Sequence, residues 1–310
     1  MALAEDLAAF ESAAKRSSLA EFASDQLDVV RPCLFSFPAK ILTPVDDILV
    51  PLLHEGALSD LLGRTGISGV ITTAALAGQM PGHLGLAVAA DPLRAHHDLH
   101  LALSRTRDRL FVDFPSEIDP SAEVHPTAWI APRNVRIGAD TVVMPFAVIN
   151  ERSVIGRGTR IHGHAVIGAD AYEIVFVDGQ QVLRPQTGGV VIGANCEIMT
   201  GSVVTRSAFC GATVVGGHTV LDCNVVVSHD CRIGTNVRIG GSSWLGGRVT
   251  IGDRVSLGPN CTIGNGLEIG EGAKVSIGAV VTRKVEPLGH VSGNFAIDHD
   301  RLIDQLRRIR

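Results

Sequence analysis

An aliphatic residue recurs every six positions along most of this chain, and that period constrains the fold more than any other feature. From Val215 the series runs through Leu221, Val227, Ile233, Ile239, Leu245, Ile251, Leu257, Ile263, Ile269 and Val275 to Val281, twelve consecutive hexads. In eight of the twelve the next residue is glycine, and the fifth place is mostly Val, Ala, Ser or Cys. An earlier block runs through Ile137, Val143, Ile149, Ile155, Ile161 and Ile167, another through Ile192, Ile198 and Val204, and looser hexads begin at Ile118, Val124 and Ile130. A period of six matches neither the 3.6-residue turn of an amphipathic helix nor two-residue alternation. It suits short strands joined by turns, with one aliphatic side chain per unit inside a prism and glycine relieving each corner. Three hexads then close one triangular coil of 18 residues. The expected fold is therefore mainly β: a left-handed parallel β-helix of hexapeptide repeats, roughly eight coils tall. Each coil pairs only with its neighbours, so the two open ends need covers.

Around that solenoid the chain divides into three parts. Residues 1–115 read as a small α/β N-terminal domain that positions a substrate or caps the helix. In it GISGVITTAAL and LGLAVAA look like strands, and Asp91-Pro92 has the cap-then-proline order that opens a helix through LRAHHDLHLAL. Residues 116–290 form the β-helix, interrupted by a loop insertion at 169–190 and by a slip of the period between Val204 and Val215. Excursions from a rigid solenoid are common places for binding loops. Residues 291–310 form a tail whose DHDRLIDQLRRIR reads as a short amphipathic C-terminal helix and a candidate end cover.

Composition narrows the classes of function. A net charge of −5 gives no basic footprint for a nucleic-acid backbone. No run of 18 apolar residues is present to span a membrane, and the N-terminal MALAEDLAAFESAAKR lacks the basic-then-apolar order of a secretory signal, so a cytoplasmic location is expected. Six cysteines show no CxxC pair and no zinc spacing, and no metal site is expected. Cys196, Cys231 and Cys261 fall at the fifth, small-residue place of their hexads and read as packing residues.

Two consecutive breaks in the glycine rule mark the chemistry. Asp222 replaces glycine in the hexad from Leu221, and Ser228-His229 follows in the next. At the third place of its hexad His229 should face outward near a corner. A neutral imidazole there can take a proton from an amine attacking an acyl carbonyl, and Asp222, one hexad earlier, is the expected carboxylate that fixes its tautomer. Eighteen residues after His229 comes Gly247, which should stack one coil above at about the 4.8 Å strand spacing, its amide free to hold an oxyanion. Asn265 lies a further coil up. His162, His164 and His218 share the repeats but lack such a pairing, and read as structural or merely near the site. A γ-type carbonic anhydrase uses the same solenoid but would need histidines where Asn224 and Gly234 stand. A non-enzymatic scaffold would carry regular hexads without this double break.

The stretch Asp222-Cys223-Asn224-Val225-Val226-Val227-Ser228-His229 resembles the D-N-x-x-x-I-A-H segment of the UDP-3-O-acylglucosamine N-acyltransferases of lipid A biosynthesis, a lipopolysaccharide pathway. Pro185-Gln186-Thr187-Gly188-Gly189-Val190-Val191-Ile192-Gly193 is similar to their P-Q-x-G-x-V-x-I-G segment, and the overall layout matches too. The resemblance implies His229 as general base, Asp222 as its orienting partner, Gly247 as oxyanion hole, a homotrimer with active sites between neighbouring helices, and an acyl group taken from acyl carrier protein. The family's D-R-G-A segment stands here as Thr205-Arg206-Ser207-Ala208, its second site histidine is replaced by Gly266, and its uracil-facing aromatics have no match in Ile48–His54. These departures point to a divergent relative that acylates the amine of another nucleotide-linked amino sugar, with acyl-CoA or acyl carrier protein as co-substrate and no resident cofactor; the lipid A enzyme itself is the alternative. Asn265, Arg206 and Gln186 are the further candidate contacts to substrate or donor, and Arg301, Arg307, Arg308 and Arg310 a candidate surface for an acidic carrier or the phosphates of CoA.

Overall fold

The computed structural model describes residues 15–43, 45–293 and 299–309, with backbone alone for 107, 108, 302, 305, 306 and 309. The first fourteen residues, read above for a leader, and Arg310 lie outside the described residues.

The hexads build a left-handed parallel β-helix of three sheets, of eight, eight and nine strands, that run from Glu117–Ile118 to His290–Val291. Register follows the 18-residue coil: Val227 pairs with Leu245, Leu245 with Ile263 and Ile263 with Val281. All twelve aliphatics from Val215 to Val281 are buried in one continuous core, which also takes in Cys196, Cys231 and Cys261. Burial pushes the Cys196 thiol up to about 11 and that of Cys231 up to about 12, so these two sulfurs pack rather than react. The fourth place of the hexad turns the corner in the left-handed region. Asn224, Asp230, Asn236, Arg248 and Asn260 all hold φ between 55° and 63°, where Asn and Asp are tolerated best.

The N-terminal domain is a five-stranded sheet in the order Asp28–Arg31, Gly85–Val88, Ile67–Thr72, Ile48–Leu52, Phe37–Pro38, parallel except for its first strand. The helix Pro92–Arg105 begins as its sequence requires: the Asp91 carboxylate accepts the Arg94 N–H at 2.9 Å and Pro92 occupies the first turn.

Both interruptions of the repeat serve the junction with this domain. The insertion leaves the prism after Val166–Ala169, forms an antiparallel hairpin of Ile174–Val177 with Gln180–Leu183, and rejoins at Gly189–Ile192. At the slip, Ala208, Phe209 and Cys210 sink into the core of the N-terminal domain. The Phe209 ring lies 5.5 Å from that of His96 and 5.0 Å from that of His100, with the Arg184 guanidinium 5.0 Å over it. Burial drives the His100 imidazole down to about 3 and His96 well below the ordinary range, so both stay neutral while their Nε2 atoms bond Pro185 O and Leu49 O. Among the described residues no helix is long and apolar enough to cross a membrane. The C-terminal helix spans His299–Ile309.

Candidate active site

His229 lies in the turn two residues after the short strand Val226–Val227 and is only 8% exposed. Its Nδ1–H donates to Asp230 Oδ2 at 2.6 Å, which leaves Nε2 as the basic nitrogen. Asp230 reaches the ring because the left-handed corner turns its side chain back along the edge. The Ser207 hydroxyl, from the slip loop, donates to its other oxygen. Burial alone would raise the Asp230 carboxyl. The hydrogen bonds from His229 and Ser207 and the nearby Arg248 charge outweigh that penalty and hold it below the usual carboxylate range. Asp230 is thus an ionised hydrogen-bond partner of the His229 imidazole.

Asp222 does not reach His229. Its Oδ2 accepts the Gly241 N–H at 3.0 Å and its Oδ1 the Cys223 N–H at 2.7 Å. The reason is geometric: one hexad is a third of a turn, so Asp222 follows a strand of a different sheet from the one His229 follows. Only residues 18 apart stack, and Gly247 does. The Arg248 N–H donates to His229 O at 2.8 Å, and a Cβ at Gly247 would lie 2.5 Å from His229 Nε2, so any side chain there would strike the imidazole. The Gly246 and Arg248 N–H groups are bonded to Ile263 O and His229 O, whereas the Gly247 N–H between them has no acceptor among the described residues. Asn265 stands in the same column one coil higher, exposed, with its side chain over Gly246.

Arg206 and Gln186 lie elsewhere, in a separate cavity of about 430 Å³, and act as braces. The Arg206 guanidinium holds Gly168 O and Asp170, and Gln186 exchanges two hydrogen bonds with the Ala171 backbone.

The site has members that the repeat pattern does not mark. Glu173, at the base of the hairpin, sets Oε2 3.5 Å from His229 Nε2 and Oε1 2.5 Å from Lys40 Nζ. Beside them a recess of about 290 Å³ is lined by Lys40, His54, His96, Arg184, Phe209 and Arg248. The Arg184 side chain is almost fully buried, yet its Nε and Nη1 have no hydrogen-bond partner among the described residues, and neither has Arg248 Nη1. Buried cationic donors left open in this way favour an anionic group in the recess. Adjacency alone could have pointed to Asp230 beside His229 and Arg248 beside Gly247; no periodic signal exists for Glu173, Lys40 or Arg184.

Residues 134–169 match the family model of the bacterial transferase hexapeptide, six repeats. A UDP-3-O-acylglucosamine N-acyltransferase of Legionella pneumophila is 33% identical over 37% of this chain and 42% of the relative. Over that part of its length the chain is similar to hexapeptide-repeat acyltransferases. An acyl-[acyl-carrier-protein]–UDP-N-acetylglucosamine O-acyltransferase of Rhizobium johnstonii is 31% identical over 38% of this chain and 47% of that one. The chain thus spans less than half the length of these curated relatives. A solved UDP-N-acetylglucosamine acyltransferase from Francisella novicida superposes with a TM-score of 0.48 at 25% identity, over 61% of this chain and 71% of that one.

Proposed function

We propose that this chain is an N-acyltransferase that moves an acyl group from a thioester, acyl-CoA or acyl carrier protein, to the amine of a nucleotide-linked amino sugar. The observation that carries the reading is the pairing of His229, with Nε2 free and Nδ1 held by Asp230, to the uncapped amide of Gly247 one coil above. In this mechanism Nε2 takes a proton from the acceptor nitrogen as it attacks the thioester carbonyl. Asp230 stabilises the imidazolium, and the Gly247 N–H receives the developing oxyanion. The imidazolium then gives its proton to the departing sulfur. The recess with Arg184, Lys40 and Arg248 supports an acceptor that carries phosphate, and the UDP-sugar acyltransferases among the relatives support the same class. With Leu42, Pro51 and Leu53 in its wall, the recess offers Phe209 as its one phenyl ring among the described residues, which favours an acceptor other than the lipid A precursor.

Self-association is part of the proposal. The outer face of the sheet that contains Val226–Val227 presents Trp129, Val148, Val166, Val203, Val226, Trp244, Thr262 and Val280, a mostly apolar face that supports a homotrimer with the site at its edge. The test is mass spectrometry of nucleotide-linked amino sugars incubated with the protein and either acyl-CoA or acyl carrier protein donors. One acyl mass added to an amine is expected, and His229→Ala should lower the rate by about 10³-fold. Acylation of hydroxyls alone, or full activity in His229→Ala, would refute the reading.

A further inference from the structure

The carboxylate of Glu173 occupies an unexpected place for a site with a basic histidine. With Nδ1–H committed to Asp230, His229 Nε2 is an acceptor, and 3.5 Å from it stands a second acceptor, Glu173 Oε2. That separation is too long for a good hydrogen bond between them. Two facing acceptors need a group between or beside them that donates to both at once. A hydroxyl carries one hydrogen and can satisfy one of them; an ammonium carries three and adds the charge a carboxylate favours.

The position of Glu173 is well fixed. Its backbone N–H donates to Ala171 O at 3.0 Å, its carbonyl accepts the Arg184 N–H at 2.8 Å, and Gln186 pins Ala171 from the other side. Lys40, from the N-terminal domain, holds Oε1 and leaves Oε2 toward the imidazole. Both the Glu173 and His229 side chains are about nine-tenths buried, so water screens the pair little.

We propose that Glu173 selects amine over hydroxyl acceptors by receiving the acceptor nitrogen as its ammonium against His229 Nε2. The inference rests on the acyl-transfer reading above and deepens it. The protons balance as follows. The bound R–NH3+ gives one proton to Glu173, which releases it to solvent. The free amine forms the C–N bond to the thioester carbonyl while its second proton passes to His229 Nε2. As the C–S bond breaks, the imidazolium returns that proton to sulfur. The third hydrogen stays on the amide nitrogen, giving amide, free thiol and one solvent proton. Lys40 holds the Glu173 carboxylate in place between turnovers.

The test is calorimetric binding of UDP-glucose and its 2-, 3- and 4-amino-deoxy analogues at pH 7 to the intact protein and to Glu173→Gln and Glu173→Asp. At least one amino sugar should bind the wild type about ten-fold or more tighter than UDP-glucose, the strength expected of a charge-assisted hydrogen bond. Glu173→Gln should bring that ratio close to one, with circular dichroism and thermal unfolding showing that the variant is folded, and Glu173→Asp should fall between. A preference that survives in Glu173→Gln, no preference in the wild type, or no binding of any of the four overturns the proposal. Amine preference without acyl product from any thioester would instead sink the acyl-transfer reading and spare the role of Glu173.

Discussion

Two corners of the same solenoid share a backbone and differ in what they leave open. At the Asp222–Gly241 corner the carboxylate of the lower coil caps the third-place N–H of the upper one. A neighbouring corner does the same in reverse, with Asp253 capping the Thr235 N–H. At the His229–Gly247 corner the equivalent residue of the lower coil is Ser228, and the Gly247 N–H has no acceptor among the described residues. The β-helix supplies outward amides at its corners, and a carboxylate consumes some of them. The third-place N–H groups of Asp253, Asn265 and Glu271 are also without an acceptor among the described residues, so this corner is set apart by the imidazole beneath its open amide.

The sharpest way to break this comparison is to add a methyl group at each corner. Gly247→Ala should cost about 10²- to 10³-fold in kcat, because its Cβ would lie 2.5 Å from His229 Nε2 and must displace the base from under the oxyanion amide. Gly241→Ala meets Asp222 Oδ2 and Cys223 O at 3.1 Å, a contact that small shifts relieve, and the rate should stay within about two-fold of wild type in the same steady-state assay. Equal losses in the two variants would show that the corners are not functionally distinct.

Swapping carboxylates for amides sharpens the same point with a smaller effect. Asp230→Asn keeps an acceptor for Nδ1–H but removes the charge that supports the imidazolium, and kcat should fall about 10²-fold. Asp222→Asn keeps one of two backbone caps and should cost about 1 kcal/mol of stability by chemical denaturation with kcat unchanged.

Acid gives the mildest discrimination. The folded-state pKa of Asp230 is held below that of the unfolded chain, so its stabilising contribution is present above the ordinary carboxylate pKa near 4 and is lost as pH falls toward the folded value. Asp230→Asn should therefore flatten the decline of Tm below about pH 4. A decline as steep as that of the wild type would mean that other groups govern the acid limb.

The same two corners show how far the sequence could be read. The buried column from Val215 to Val281 follows directly from the period, because only an inward aliphatic per hexad can fill a prism. Gly247 follows too, since 18 residues are one coil whatever the side chains. Asp222 is misjudged by treating one hexad as proximity, when it is a third of a turn around the axis. Asp230 is hidden for a subtler reason. The fourth place favours Asn and Asp to hold a left-handed φ, as at Asn224, Asn236 and Asn260, so a carboxylate there looks like turn chemistry. Gln186 and Arg206 draw attention because they sit beside interruptions, yet their polar atoms are spent on holding those interruptions in place. Glu173 and Lys40 meet only because a hairpin and a separate domain fold onto one edge, which no local pattern encodes.

The burial of Phe209 in the N-terminal domain has a mechanical consequence. A stack of identical rungs ordinarily frays from its ends, each rung released at the expense of one interface. Here a middle rung is riveted sideways into a separate sheet core, so peeling that begins at Glu117 must extract an aromatic side chain before it can pass the rung that carries His229. Hydrogen exchange should accordingly find slow, concerted opening around residues 184–231, bounded by faster fraying toward the far end of the stack.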